Sequence, residues 1–149
     1  MNSLFRLCSF FVYLTLVVSL VSCGKDDPAV EPEPTEQERI TTLLTTASWP
    51  LTSVVVEGEN AAELFKDFSL TFTATGYTTT GTTPVWARSG TWTFTDATAK
   101  KIKRDDNVEV TIESVDEKTL KLSLVWDRQI TEGGRSKALR GKHEFTLTR

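Results

Sequence analysis

Cysteine and histidine are scarce in this chain. Its 149 residues include two cysteines, Cys8 and Cys23, and one histidine, His143. Cys8 lies in an apolar N-terminal run, and a mature chain that has lost this run cannot form an intrachain disulfide. Metal centres built from Cys and His need three or four ligands, and a mature chain with one cysteine and one histidine does not supply them. The sequence also has no Gly-x-Ser-x-Gly or phosphate-loop motif. We therefore expect no catalytic residue, no metal and no cofactor.

Positive charge is also limited. The chain carries 17 Lys and Arg against 20 Asp and Glu, a net charge of −3. That balance argues against nucleic acid as a partner, because phosphate backbones attract basic surfaces. One acidic stretch, Asp105-Asp106-Asn107, could contribute to a calcium site only with further oxygen ligands, so a polar turn is the preferred interpretation.

A long hydrophobic run occurs once, from Leu7 to about Val21. It is shorter than the ~20 residues of a stable membrane span, and Arg6 precedes it, as in a secretory signal. The run ends in Leu20-Val21-Ser22-Cys23, which resembles the lipobox of bacterial lipoproteins. The resemblance implies a signal peptide over residues 1–22, cleavage before Cys23, and lipidation of Cys23. The alternative is an ordinary secretory signal that happens to precede a cysteine.

Residues 23–35 predict an acidic, proline-rich tether. Pro28, Pro32 and Pro34 favour an extended conformation. Lys25, Asp26 and Asp27 follow the lipidated cysteine and resemble the export signal of Bacteroidetes surface lipoproteins. This implies an outer-membrane protein that is held by its lipid anchor and faces the cell exterior. The alternatives are a periplasmic orientation and an acidic tether that serves only solubility.

Residues 36–149 predict one domain with a single helix at its start. Thr35 and Glu38 have the spacing of a capping box. The next apolar residues recur at helical spacing up to Ala47, so a helix is predicted over 35–47. After Pro50 the apolar period changes to two, which predicts about seven or eight short strands.

The strand register can be predicted from parity for the last third of the chain. A short turn at 116–118 places Leu122 opposite Ile112 and pairs Glu113 with Lys121 on the outer face. A two-residue turn at Gly133-Gly134 predicts further inward pairs, namely Leu122 with Phe145, Leu120 with Leu147, Leu124 with His143, and Trp126 with Gly141.

Several segments from Ile40 onward resemble lipocalin-like domains of Bacteroidetes lipoproteins. They are Ala47-Ser48-Trp49, Leu70-Thr71-Phe72 before Gly76-Tyr77, Ser89-Gly90-Thr91-Trp92-Thr93-Phe94, and Lys118-Thr119-Leu120-Lys121-Leu122. Lipocalins have Gly-x-Trp near the first strand, whereas Ala47 stands in the glycine position here. The resemblance implies an all-β fold, a small antiparallel meander barrel; the alternative is a β-sandwich.

The aromatic residues are the best candidates for a binding function. Parity places Trp92, Phe94 and Trp126 in the core, whereas Trp86, beside Pro84 near a turn, is predicted to be exposed. Trp86, Tyr77 and Trp49 are therefore the candidate ligand-binding residues. We expect a non-catalytic binding or accessory module for a small apolar ligand or a glycan. The alternative is an interaction domain with a filled barrel that docks a protein partner.

Overall fold

The computed structural model describes residues 33–82, 85–128 and 139–149. Residues from Pro34 to Arg149 form one compact unit. All the buried core residues lie between Ile40 and Leu147, so this unit carries its own hydrophobic core and can be studied as a domain. Within the described ranges, no helix is long and apolar enough to cross a bilayer.

Helix α1 spans Glu36–Thr45 and begins with the predicted capping box. The Thr35 hydroxyl accepts a hydrogen bond from the Glu38 amide, and the Glu38 carboxylate accepts one from the Thr35 amide at 2.7 Å. Ile40 and Leu44 are buried and attach the helix to the barrel. The helix ends two residues earlier than predicted, because the extended chain of the first strand already begins at Ser48.

Nine antiparallel strands follow the helix within the residues that the structure describes. They are β1 (Ser48–Val56), β2 (Glu59–Asn60), β3 (Ser69–Phe72), β4 (Gly76–Thr80), β5 (Ser89–Phe94), β6 (Lys101–Arg104), β7 (Glu109–Val115), β8 (Thr119–Trp126) and β9 (Gly141–Thr148). A 3₁₀ turn, Ala62–Phe65, lies between β2 and β3.

The strands close into a barrel. From β3 to β9 each strand pairs with the next one in sequence, and β1 pairs with both β3 and β9. Eight strands form the closed barrel, whereas β2 pairs only with the end of β1, in a short hairpin. The predicted meander barrel is therefore confirmed, and closure between β1 and β9 excludes the sandwich alternative.

The register of the last three strands is confirmed at its inward positions. Leu122 lies opposite both Ile112 and Phe145 and is 1% exposed. The other inward pairs of β8 and β9 are also as predicted, namely Leu120 with Leu147, Leu124 with His143, and Trp126 with Gly141. The predicted turn at Gly133-Gly134 lies outside the described residues.

The outward pair of Glu113 with Lys121 was predicted wrongly. The register shifts between Ile112 and Ser114, so that Ser114 faces Lys121 and Glu113 is the extra residue of a β-bulge. The Glu113 carboxylate instead accepts a hydrogen bond from the Ser123 hydroxyl at 2.6 Å. Alternation of apolar residues carries no signal for such an insertion, because both strands keep their inward parity up to the bulge.

Candidate functional site

The residues predicted to determine anchoring and export lie outside the described residues. These are Cys23, Lys25, Asp26 and Asp27. Of the candidate ligand-binding residues, Trp49 is fully buried, Tyr77 is 2% exposed and Trp86 is 4% exposed. The prediction that Trp86 is exposed is therefore wrong: the chain that enters β5 turns Val85 and Trp86 into the barrel. The core positions predicted for Trp92 and Trp126 are confirmed.

Aromatic rings in mutual contact occupy the barrel interior around Trp86. The centroid of Trp86 lies 5.3 Å from that of Tyr77 and 6.3 Å from that of Phe145, and both contacts are edge-to-face. Phe145 in turn contacts Phe65 at 5.4 Å and Phe68 at 6.0 Å. Such edge-to-face pairs stabilise a core beyond the burial of their area. Two of the three predicted ligand contacts, Tyr77 and Trp86, are thus brought together as packing partners.

Trp49 lies at the end of the barrel where α1 enters. Its indole nitrogen donates to the Leu44 carbonyl at 2.9 Å, which ties the helix to β1. The Arg149 guanidinium lies 4.4 Å from the Trp49 ring centroid, a cation–π distance. The structure does not bring Trp49 together with the other two candidates through any ring contact among the described residues. Its contacts are those of a residue that fixes this end of the barrel.

A buried arginine, Arg104, accompanies the aromatic cluster. Its guanidinium lies 4.5 Å from the Trp86 centroid and 5.7 Å from that of Tyr77. It donates to the Val85 carbonyl at 2.9 Å and to the Asp106 carboxylate at 2.5 Å. The charge of Arg104 is thus compensated by a carboxylate, as a buried charge requires. Arg104 lies two residues after Ile102 on β6, and residues two apart on a strand face the same side. The sequence could therefore have predicted that this arginine points inward.

The turn that follows Arg104 contains Asp106, the acidic partner in this ion pair. Asp106 also accepts a hydrogen bond from the Val108 amide at 3.2 Å, and the Arg128 guanidinium lies 3.5 Å from its carboxylate. Its carboxylate therefore has three partners within the protein. Asp105-Asp106-Asn107 is a turn, and the described ranges contain no group of three or more His, Cys, Asp or Glu that could hold a metal ion.

His143 is fully buried in β9, as its inward parity predicts. Its ring stacks on Phe145 at 6.1 Å, and Nδ1 lies 3.1 Å from the Gly141 carbonyl oxygen. Burial lowers the pKa of His143, and burial also raises the pKa of the Tyr77 hydroxyl. Neutral forms of both groups are therefore favoured, which suits a packed interior.

Several open grooves lie on the outer surface of the described residues, and two of them have distinctive linings. The first, here the α1–β5 groove, has a volume of about 670 Å³ and lies between α1, the turn from β3 to β4 and the end of β5. Its lining combines threonines with two aromatic residues, Trp92 and Phe94, and with the polar side chains of Gln37 and Glu38 from α1. Trp92 is fixed by hydrogen bonds from its indole nitrogen to the carbonyls of Thr73 and Gly76 at 3.2 and 3.0 Å. Half-buried Phe94 contacts Trp92 edge-to-face at 5.0 Å.

The second groove, of about 700 Å³, runs over the outer face of β7 and β8 beside the bulge at Glu113. Charged side chains line much of it, including Glu109, Arg128 and Lys142. Val125, a lining residue, is 66% exposed. Sequence reasoning identified neither groove: the first forms between α1 and β5, which are distant along the chain, and the second lies beside the bulge at Glu113, for which alternation carries no signal.

Comparison with known proteins gives no match to any family model, to any curated protein or to any solved structure.

Proposed function

We propose that this chain is a membrane-anchored lipoprotein that faces the cell exterior and acts as a non-catalytic binding module. Its anchor would be the lipid on Cys23, and the tether of residues 23–35 would hold the domain away from the membrane. In this proposal the barrel is a filled scaffold, and partners bind to its outer surface.

The observation that carries the proposal is the occupied interior. Trp86 contacts both Tyr77 and Phe145, and Arg104 covers the face of Trp86. A small apolar ligand inside the barrel would have to displace this packing and separate Arg104 from its aromatic neighbours. Small barrels whose interior is filled by side chains leave their outer faces and rims for recognition.

A protein partner is the second candidate. The exposed side chain of Val125 beside the charged β7–β8 groove favours it, because apolar residues with a polar rim are typical of protein interfaces. This candidate shares the filled scaffold and differs only in the class of the partner.

Interior binding can be tested with fatty acids. The domain Pro34–Arg149 is titrated with a fatty-acid series while the tryptophan fluorescence is recorded. We expect no saturable change, because Trp86 is already covered by Arg104 and Phe145. Saturable one-to-one quenching that Trp86→Phe abolishes would show an interior site and overturn the filled-scaffold proposal.

The anchor is tested separately with Cys23→Ala in the full chain. Without the thiol, diacylglycerol cannot be attached, so the variant should persist as uncleaved precursor. Detergent partitioning and the mass of the N-terminal peptide of parent and variant measure both effects. An unmodified Cys23 in the parent chain would end the lipoprotein proposal.

A further inference from the structure

We propose that the α1–β5 groove, together with the outer face of β3–β5, binds a neutral polysaccharide. This inference rests on the proposed function, because it requires an outer-surface site. The face is formed by two outward hydroxyl residues on each of three strands: Ser69, Thr71, Thr78, Thr80, Ser89 and Thr91. We call it the hydroxyl face.

The strand register arranges these side chains in rows. Thr71, Thr78 and Ser89 are Cα partners across three adjacent strands, and Ser69 pairs with Thr80 in the neighbouring row. Adjacent strands lie ~4.8 Å apart, and residues two apart on one strand lie ~6.7 Å apart. The hydroxyl face is therefore a regular array of hydroxyl groups, which suits a ligand that offers hydroxyls repeatedly.

Several of these hydroxyls are available to a ligand. Ser69 and Thr71 bond to the Ser48 hydroxyl at 2.6 and 3.0 Å. Thr78, Ser89 and Thr91 are exposed, and their side chains make no hydrogen bond within the described residues. A hydroxyl can both donate and accept, so each can bond to a sugar hydroxyl in either role.

The two halves of the barrel differ in how many charged residues their strands carry. Strands β3, β4 and β5 contain no charged residue. The outward positions of β6–β9 include Lys101, Lys103, Lys121, Lys142 and Glu144. Anionic polymers and nucleic acids need basic side chains to replace their counterions. The six residues of the hydroxyl face include none, while exposed Arg88 and Lys103 lie at its border, Lys103 as the Cα partner of Thr93. The chemistry of the face itself therefore matches an uncharged ligand.

The α1–β5 groove lies beside the end of the hydroxyl face and contains an aromatic ring from the inward parity of β5. Thr93 lines the groove and lies two residues beyond Thr91 on β5. Phe94 supplies a half-buried ring, Thr41 adds a hydroxyl from α1, and Thr75, whose carbonyl accepts from the Trp92 amide at 3.1 Å, adds one beside β5. An apolar ring flanked by hydroxyls suits a pyranose, whose C–H face is apolar and whose rim donates and accepts hydrogen bonds.

Other ligand classes fit these features less well. Protein interfaces are enriched in aromatic residues, Met and Arg and depleted in Ser, whereas the hydroxyl face has only Ser and Thr. A purely apolar ligand would desolvate the hydroxyls without bonding to them, which is unfavourable. A neutral polysaccharide satisfies both the hydroxyl array and the ring.

Binding is tested with the domain Pro34–Arg149 on arrays of neutral polysaccharides, namely glucans, mannans, xylans and galactans. Polygalacturonate and heparin are the charged counterparts. We expect binding to at least one neutral class that changes little over a tenfold range of salt, since no counterions are released. Absence of neutral binding, or salt-sensitive binding to the anionic polymers alone, would overturn the inference.

Variants locate the site. Phe94→Leu and the double variant Thr75→Val/Thr93→Val should each weaken binding at least tenfold, because they remove the planar ring or two hydroxyls while keeping similar volume. Thr111→Val/Thr146→Val on β7 and β9 is the matched control and should bind as the parent does. Thermal unfolding of each variant verifies its fold.

The outcomes distinguish the two proposals. Neutral-polysaccharide binding that the groove variants do not weaken would overturn the groove assignment and leave the outer-surface function standing. Saturable fatty-acid binding in the interior would overturn the proposed function itself.

Discussion

At the scale of single residues, neighbours on β8 lie in opposite environments. Leu122 faces the interior between Ile112 and Phe145, whereas Lys121 faces outward and is exposed. Lys121 has no ion-pair partner among the described residues, since Glu113 lies in the bulge and bonds to Ser123. The consequences of truncating these two side chains should therefore differ strongly.

We expect Leu122→Ala to lower the free energy of unfolding by ~2–5 kcal/mol, because the missing atoms leave a cavity in the core. Lys121→Ala, the matched control one residue away, should change it by less than ~0.5 kcal/mol, as exposed substitutions do. Chemical denaturation of the domain Pro34–Arg149 measures both. Equal losses at the two positions would contradict the inward and outward assignment of β8.

The buried His143 makes stability depend on pH. Its pKa is lowered in the folded domain, so above the unfolded value of ~6.5 both states are neutral and the full stability is present. As pH falls below ~6.5, the unfolded state takes up the proton first, and stability is lost by up to ~1.4 kcal/mol per pH unit until the folded pKa is reached.

His143 is the one histidine of the sequence, so the region between pH ~7 and ~5 reports on it before the carboxylates titrate. Denaturation of the parent and of His143→Gln at several pH values within this region provides the measurement. The parent should lose stability toward pH 5 and the variant should have a flatter profile. Identical profiles would show that His143 does not cause the effect.

At the scale of elements, the start of α1 depends on one reciprocal pair of hydrogen bonds between Thr35 and Glu38. The first amides of a helix have no partner within the helix, so a side-chain acceptor at this position stabilises it. Thr42, in contrast, lies on an exposed turn of the same helix, where threonine is a poor helix former.

The same substitution should therefore have opposite effects at these two positions. Thr35→Ala is expected to lower the free energy of unfolding by about 1 kcal/mol through loss of the cap. Thr42→Ala is expected to raise it by up to roughly 0.5 kcal/mol through better helix propensity. Both are measured by chemical denaturation. A destabilised Thr42→Ala together with an unchanged Thr35→Ala would contradict the capping geometry.

The strands also show which features of the fold the alternation of apolar residues can predict. Alternation of apolar residues specified the inward register around Leu122, because a slip by one residue would expose the whole inward set. It did not specify the bulge at Glu113, which leaves the inward pairs before it unchanged. The wrong prediction for Trp86 came from its position beside Pro84 near a turn and not from alternation; in the structure its contacts with Phe145 and Arg104 keep it inside the barrel.

At the scale of the whole molecule, the barrel has two dissimilar halves. Strands β3–β5 carry hydroxyls outward and no charge, whereas β6–β9 carry lysines and glutamates. Since the apolar interior is continuous through both, this difference has no role in closing the barrel. The sequence of each strand already showed this difference in charge. The strand register was needed to show that the hydroxyls of β3–β5 form one surface.

Orientation at the membrane determines whether such a surface can meet an external ligand. The proposed signal for it is Lys25-Asp26-Asp27, which follows Cys23 after one glycine. If a sorting system recognises these three residues at that place, their identity near the lipid matters. If the tether needs only negative charge for solubility, any of its acids should serve equally.

A pair of variants of the full chain separates these explanations. Replacing Lys25, Asp26 and Asp27 with Ala should leave lipidation of Cys23 intact and abolish cleavage of the protein by protease added to whole cells. Glu31→Ala/Glu33→Ala is the control: it also removes two acids from the tether, but away from Cys23, and should remain accessible. Immunoblots of protease-treated cells, with lipidation confirmed by mass, provide the measurement. Unchanged accessibility of the triple variant would refute the export signal, and equal loss in both variants would assign the effect to tether charge.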